Sequence, residues 1–305
     1  MFFITENDVR ENLHYGELIE WLRKAFSMLD MGKAESSPRL RTRTGKEILN
    51  SLPAIIPELD ISGEKVYYSG PAGAVFHYVL FRNSCPSVLA VFEASALGQI
   101  RTGALSALAS LLMHGRNAKH IHIIGSGYQA ESQLMAHLSI YDPEKITVYS
   151  RDTRHAESYA RRMEKLTGYS ISVSNSLEQS LKEADLICSA TSARTPFISG
   201  VMLPENFHIN LVGANLPQRM EADTSVLERA EAVCAEDIKQ AMLESSEITG
   251  FLSKHPEARI YELKELASGR SKTVNARRTV FKSMGNGIED LIAAYLVCKN
   301  MGIIT

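Results

Sequence analysis

The run HIHIIGSGYQA at residues 120–130 constrains this chain more than any other feature, because a short β-branched stretch leads straight into a G-x-G-x-x-A turn. A helical pattern over 128–140 and a second apolar run, ITVYS at 146–150, follow in order. Strand, glycine turn, helix and strand in that succession form the βαβ unit that binds a dinucleotide. The chemistry sets the spacing. Gly125 turns the chain tightly, Gly127 lets a pyrophosphate approach the backbone, and the small Ala130 lets helix and strand pack closely. Tyr128 and Gln129 open the helix, whose first N–H groups and partial positive charge suit phosphates.

The alternation continues beyond this unit. Helical patterns over 153–166 and 176–183 are interleaved with the apolar runs ISV (171–173), DLICSA (185–190), HINLVG (208–213) and EAVCAE (231–236). Strands alternating with helices imply right-handed crossovers and a parallel sheet. The texture before residue 116 differs. Residues 6–31 read as helical, 39–56 as strands, and 64–93 as three β-rich runs of an antiparallel sheet. An Ala- and Leu-rich helix follows over 104–113. Near the end, TVFKS (279–283), Gly285-Asn286-Gly287 and a helix over 288–299 are expected to leave the parallel sheet and pack on the N-terminal part. The predicted class is α/β, with a Rossmann-type doubly wound parallel sheet over 116–279. A second, α+β domain for substrate and dimerisation comprises 1–115 with 280–305.

The second strand of the βαβ unit ends Tyr149-Ser150-Arg151-Asp152. An acidic tip would hold the ribose 2′-hydroxyl of NAD, whereas Ser150 followed by Arg151 suits a 2′-phosphate. The sequence therefore favours NADP(H), and Asp152 keeps NAD(H) open. A net charge of −2 argues against a nucleic-acid partner but not against a small anionic substrate. Cys85, Cys188, Cys234 and Cys298 form no C-x-x-C pair. With no basic leader ahead of an apolar run and no stretch long enough to span a bilayer, a cytoplasmic, non-membrane protein is expected. No His and carboxylate cluster points to a metal, and no G-x-S-x-G elbow points to a serine hydrolase.

Seven stretches together resemble the ornithine cyclodeaminase/μ-crystallin family. They are SPR (37–39), LPA (52–54), GEK (63–65), GQIRTGALSALAS (98–110), GSGYQA (125–130), INLVGANLPQRMEAD (209–223) and TVFKSMGNGIEDLIAA (279–294). The family contains amino-acid cyclodeaminases, alanine dehydrogenases and reductases of cyclic imino acids and ketimines, and its members look like homodimers. The resemblance implies that Arg101 binds a substrate carboxylate, a task suited to a planar, bidentate guanidinium. It implies that Arg39 lies near the same carboxylate and that Lys65 lies beside the reacting carbon and nitrogen. Thr102, Ala190, Thr191, Ser192, Val212, Gly213 and Gly285 would approach the cofactor. Read without the resemblance, Lys65 is a surface lysine, and Arg39, Arg41 and Arg43 are one face of a strand. Arg101 reads as the start of an apolar helix, a place the helix dipole makes unfavourable for a cation and hence favourable for an anionic partner.

One position departs from the family pattern. Cyclodeaminases carry an Asp where this chain has Asn215, and Asn cannot exchange a proton as that base would. Asn215 is accordingly expected to touch substrate without acting as a base. The expected activity is an NAD(P)-dependent reductase or dehydrogenase acting on the C=N or C–N bond of a small imino or amino acid, with Lys65 and Arg101 as catalytic residues. An ammonia-releasing cyclodeaminase and a non-catalytic dinucleotide-dependent binding protein are the alternatives. Glu93 reads either as a partner for a substrate amine or as a supporting residue.

Overall fold

In the computed structural model, which describes residues 1–115, 117–273 and 276–304, the chain divides into two units. One is Met1–Leu105 with Gly285–Thr305, and the other is Ser106–Met284. Position 116, where the sequence places its boundary, lies outside the described residues.

The first unit is built on a seven-stranded sheet. Its neighbours in order are Phe2–Ile4, Ser87–Glu93, Gly73–Arg82, Ile61–Gly70, Glu47–Ile56 and Glu35–Ser36, with Leu40–Thr44 also paired to Glu47–Ile56. Phe2–Ile4 runs parallel to its neighbour and the remaining pairs are antiparallel. Side chains alternate as strand geometry demands: Asn50, Leu52, Ala54 and Ile56 are buried, while Leu49, Pro53 and Ile55 face out. Helix Gly287–Asn300 lies against the three central strands and against helix Tyr15–Asp30. Its Ile288, Leu291, Ile292, Ala293, Leu296 and Val297 are all fully buried, as befits a helix that is apolar nearly all round.

Two helical expectations are corrected here. The N-terminal pattern is two helices, Glu6–Asn12 and Tyr15–Asp30, because Leu13 adopts an extended conformation between them. The Ala-rich helix begins at Ser95, not Ala104. Its first N–H groups, from Ser95 and Ala96, are accepted by the carboxylate of Glu6 at 2.7 and 2.5 Å, a cap supplied from far away in sequence. Arg101 is therefore inside a helix, and the dipole reading based on a helix start at that point does not hold.

The second unit is an eight-stranded parallel sheet. Its order is Ser172–Val173, Lys145–Tyr149, His120–Ile124, Leu186–Ser189, Phe207–Leu211, Arg278–Lys282, Ala232–Ala235 and Ile260–Glu262. The chain's progress across the sheet reverses between His120–Ile124 and Leu186–Ser189, which is the switch point of a doubly wound fold. The final strand corrects another expectation. Arg278–Lys282 does not leave the parallel sheet but pairs on both sides, Phe281 opposite Asn210 and opposite Cys234. Both of its edges are hydrogen-bonded, so the strand stays and only the helix after it joins the first unit. Apolar clusters around Ile121, Val148 and Met163, and around Ile187, Ile209 and Val280, form this unit's core.

Candidate active site

The predicted residues fall into two groups, one in each unit. In the first unit, Lys65 projects from the buried face of strand Ile61–Gly70, Arg101 from helix Ser95–Met113, and Arg39 from the residue before strand Leu40–Thr44. All three cations are buried, at 3%, 6% and 8% exposure, where an uncompensated charge would be costly. Two carboxylates at the start of helix Gly287–Asn300 compensate. Lys65 Nζ lies 2.6 Å from Asp290 Oδ2, and Arg101 Nε donates to Asp290 Oδ1 at 3.1 Å. Arg101 Nη1 donates to Glu289 Oε2. The other oxygen of Glu289 accepts the N–H of Asn286 at 2.6 Å, closing a capping box that fixes the helix start.

Gly285 joins this group through its backbone. Arg39 Nη2 donates to its carbonyl at 3.2 Å, and its φ of +86° is a conformation suited to glycine. A Cβ there would come 3.0 Å from Arg39 Nη2 and 3.1 Å from Arg101 Nη2, so both guanidinium groups converge on that point. Two guanidinium groups that meet beside a buried ammonium form a place suited to a carboxylate ligand. Burial, then the positive charge of Arg101, draws Lys65 down to about 8 against the opposing pull of Asp290. A lysine in that range can give and take a proton near neutral pH. Tyr78 sits opposite Lys65 on the neighbouring strand; burial, then Asp290, push its hydroxyl well up, so it stays protonated.

Thr102 is buried and donates its hydroxyl to the Gly98 carbonyl one turn back, at 2.7 Å. Glu93 accepts the N–H of Glu6 at 3.0 Å, so one of its oxygens serves a helix start. Glu289 and Asp290 were not anticipated. The available signal was the stretch IEDLIAAYLVC, where two adjacent carboxylates begin an otherwise apolar helix and thus need cationic partners once buried.

In the second unit, Gly125 has φ of +107°, and a Cβ there would come within 2.5 Å of the Ala190 carbonyl. Gly127 is the N-cap of helix Tyr128–Leu138, has no side-chain cap, and has open space where a Cβ would stand. An uncapped helix start behind an open glycine turn fits a dinucleotide pyrophosphate. Ala130 is fully buried, Gln129 is half-buried, and Tyr128 is 45% exposed. At the tip of strand Lys145–Tyr149, Ser150 is half-buried and Arg151 exposed. Asp152 instead caps helix Thr153–Thr167, accepting the Arg154 N–H at 3.0 Å and its guanidinium at 2.7 Å. Those bonds hold the Asp152 carboxyl down to about 2.

Two further loops of this unit are tied together by a residue that sequence reasoning missed. Glu221 is fully buried, and its Oε1 accepts the Ser189 hydroxyl at 2.7 Å, the Thr191 N–H at 2.8 Å and the Thr191 hydroxyl at 2.7 Å. Its Oε2 accepts the Gly213 N–H at 2.7 Å. The buried Lys282 donates to the Ala214 carbonyl at 2.6 Å and pairs with Glu247 at 3.5 Å. The segment through Ala190, Thr191 and exposed Ser192 is thereby fixed to the one through Val212, Gly213 and half-buried Asn215. Burial raises the Glu221 carboxyl, while Lys282 and the hydroxyl donors pull the other way. Among the described residues, no group of three or more His, Cys, Asp or Glu side chains is arranged to hold a metal.

Comparison with known proteins adds to this geometry. The profile of the ornithine cyclodeaminase/mu-crystallin family matches residues 1–302. The chain is 26% identical to the Delta(1)-pyrroline-2-carboxylate reductase of Colwellia psychrerythraea across 99% of both chains. It is 31% identical to the ketimine reductase mu-crystallin of Mus musculus, over 72% of this chain and 67% of that one. Among solved structures, the Thermococcus litoralis Delta(1)-pyrroline-2-carboxylate reductase in complex with NADH and L-proline superposes with a TM-score of 0.92 at 26% identity, covering 98% of this chain and 97% of that one.

Proposed function

Since the chain belongs to the ornithine cyclodeaminase/mu-crystallin family, we propose that it is a nicotinamide-dependent oxidoreductase that reduces the C=N bond of a small imino acid. The observation that carries this reading is the buried group Arg39, Lys65 and Arg101, in which both guanidinium groups converge on Gly285 while Lys65 and Arg101 share Asp290. Arg101 and Arg39 hold the substrate carboxylate and thereby orient the molecule. Lys65, as an ammonium, donates a proton to the imine nitrogen; as an amine, it takes one back in the reverse direction. The nicotinamide, when bound, supplies the hydride. Asn215 cannot act as a base, which favours reduction over ammonia release. The relatives named pyrroline-2-carboxylate reductase and ketimine reductase support the same substrate class.

Gly125, Gly127 and the start of helix Tyr128–Leu138 would hold the pyrophosphate, and Thr191 and Gly213 the nicotinamide half. NADP(H) is the favoured cofactor, because Arg151 stands exposed at the strand tip while Asp152 is committed to capping. The first unit would serve substrate binding and dimerisation. Its sheet exposes Leu49, Ile55, Val75 and Phe81 on one outward face, at 51%, 39%, 51% and 37%, and a homodimer would cover them. Four free, dispersed cysteines suit a reducing compartment such as the cytoplasm.

The test is the consumption of NADPH or NADH with pyrroline-2-carboxylate, piperideine-2-carboxylate, or pyruvate plus ammonia. Turnover of a cyclic imine is the expected result. An Arg101→Lys variant should lose on the order of a hundredfold in kcat/KM, because a lysine cannot replace the fork that meets a carboxylate. Wild-type protein that binds cofactor but reduces none of these imines would overturn the proposal.

A further inference from the structure

Lys65 is poorly placed to stay charged on its own. It is buried, and Arg101 and Arg39 repel its ammonium. The groups facing it come from each surrounding element. Tyr78 stands on strand Gly73–Arg82, the apolar Leu52 on strand Glu47–Ile56, Arg101 on helix Ser95–Met113, and Arg39 before strand Leu40–Thr44. Helix Gly287–Asn300 contributes Asp290 and, beyond Arg101, Glu289. Among the described residues, Asp290 is the carboxylate within ion-pair distance of Lys65.

We propose that Asp290 is a positioning residue for the reduction: one carboxylate grips Lys65 and Arg101 together, so that the proton donor and the carboxylate clamp are held in one fixed geometry. This inference rests on the imine-reductase reading. The division of labour between the two acids supports it. Glu289 gives one oxygen to the helix cap and the other to Arg101, whereas Asp290 gives one oxygen to each cation. In the step itself, hydride adds to the imine carbon as the C=N π bond breaks. The nitrogen takes a proton from Lys65 Nζ, leaving a neutral amine that regains its proton from solvent. Asp290 exchanges no proton; it keeps Lys65 an ammonium beside two guanidinium groups until the imine arrives.

Trace acetylation of the folded protein across pH, with mass spectrometry of the Lys65 peptide, reads the protonation midpoint of this one amine without any turnover. It is run on wild type, Asp290→Asn and Asp290→Glu, beside pH profiles of kcat for imine reduction. The wild-type midpoint is expected near 8 and should coincide with the alkaline fall in kcat. In Asp290→Asn both should move down together by about one unit, leaving kcat roughly tenfold lower above the wild-type midpoint, with Asp290→Glu returning both toward wild type. An Asn variant whose midpoint and kcat limb stay at the wild-type pH would overturn the inference. Should that variant not fold, Asp290→Glu decides. Midpoint and kcat limb that coincide there and in wild type support the role, and limbs that separate from the midpoints refute it. Wild-type inactivity with every imine would instead sink the reductase reading, while the labelling midpoint would still report on the pair.

Discussion

Glu221 accepts both the backbone N–H and the hydroxyl of Thr191, at 2.8 and 2.7 Å, from a fully buried position. The same carboxylate reaches Ser189 and Gly213, so it sets the separation of two loops that end adjacent parallel strands. Glu221→Ala would leave these donors without their acceptor, each at a cost of about 1–3 kcal/mol if water does not enter. The expected result is a dissociation constant for reduced nicotinamide cofactor raised roughly tenfold or more, with a lower melting temperature. Calorimetric titration of the cofactor measures it, and unchanged affinity would show that the loops do not depend on this latch.

Arg151 predicts a cofactor preference. It is exposed at the strand tip, and the neighbouring Asp152 is held by Arg154. Arg151→Ala should raise KM for NADPH by about tenfold, which is the loss of one charge-assisted bond of roughly 1.4 kcal/mol, and leave KM for NADH nearly unchanged. Equal effects on both cofactors would mean that the arginine does not read the 2′-position.

Gly285→Ala is a small change with a large expected consequence. The φ of +86° disfavours any Cβ, and that atom would press on the side chains of both Arg39 and Arg101. Strain of this kind costs on the order of 1–3 kcal/mol. The guanidinium groups would be displaced from their common point, so KM for the imino acid should rise severalfold or more while cofactor affinity holds. Steady-state kinetics with substrate and cofactor varied separately would separate the two effects.

Acid should destabilise the second unit through its buried imidazoles. Burial pulls His137 down to about 4 and His122 to about 3, from an ordinary value of 6.5. The unfolded chain therefore takes up protons first as pH drops below 6.5, and stability declines until the folded-state values are reached. For His137 alone that loss is about 3 kcal/mol across the window, taking 1.4 kcal/mol per unit. Melting temperature should fall steadily from pH 7 to pH 5, and His137→Gln should flatten the slope. A melting temperature independent of pH over that range would contradict it.

What could be read from the sequence was local in origin. The glycine turn at 125–130 is legible because its conformation is dictated by neighbouring residues, and the parallel sheet follows from regular alternation of strand and helix. Features that depend on distant partners were not legible. The early start of helix Ser95–Met113 depends on Glu6, and Gly98 and Arg101 interrupt the apolar pattern there. Glu221, Glu289 and Asp290 look like ordinary surface acids until the cations and N–H groups they serve are brought beside them. Arg39, Lys65 and Arg101 were singled out by family resemblance; spacing alone made Lys65 a surface residue, and it is 3% exposed.

The place of strand Arg278–Lys282, inserted between Phe207–Leu211 and Ala232–Ala235, bears on how the chain assembles as it leaves the ribosome. Until that late segment emerges, each of its two neighbours has a full row of unpaired backbone groups, and the parallel sheet is two blocks with a missing stave. Helix Gly287–Asn300, which brings Glu289 and Asp290 to the buried lysine and arginine of the first unit, is made only afterwards. The same few residues that close the sheet thus precede the ones that complete the charge cluster, and both units wait on this one segment for their final form.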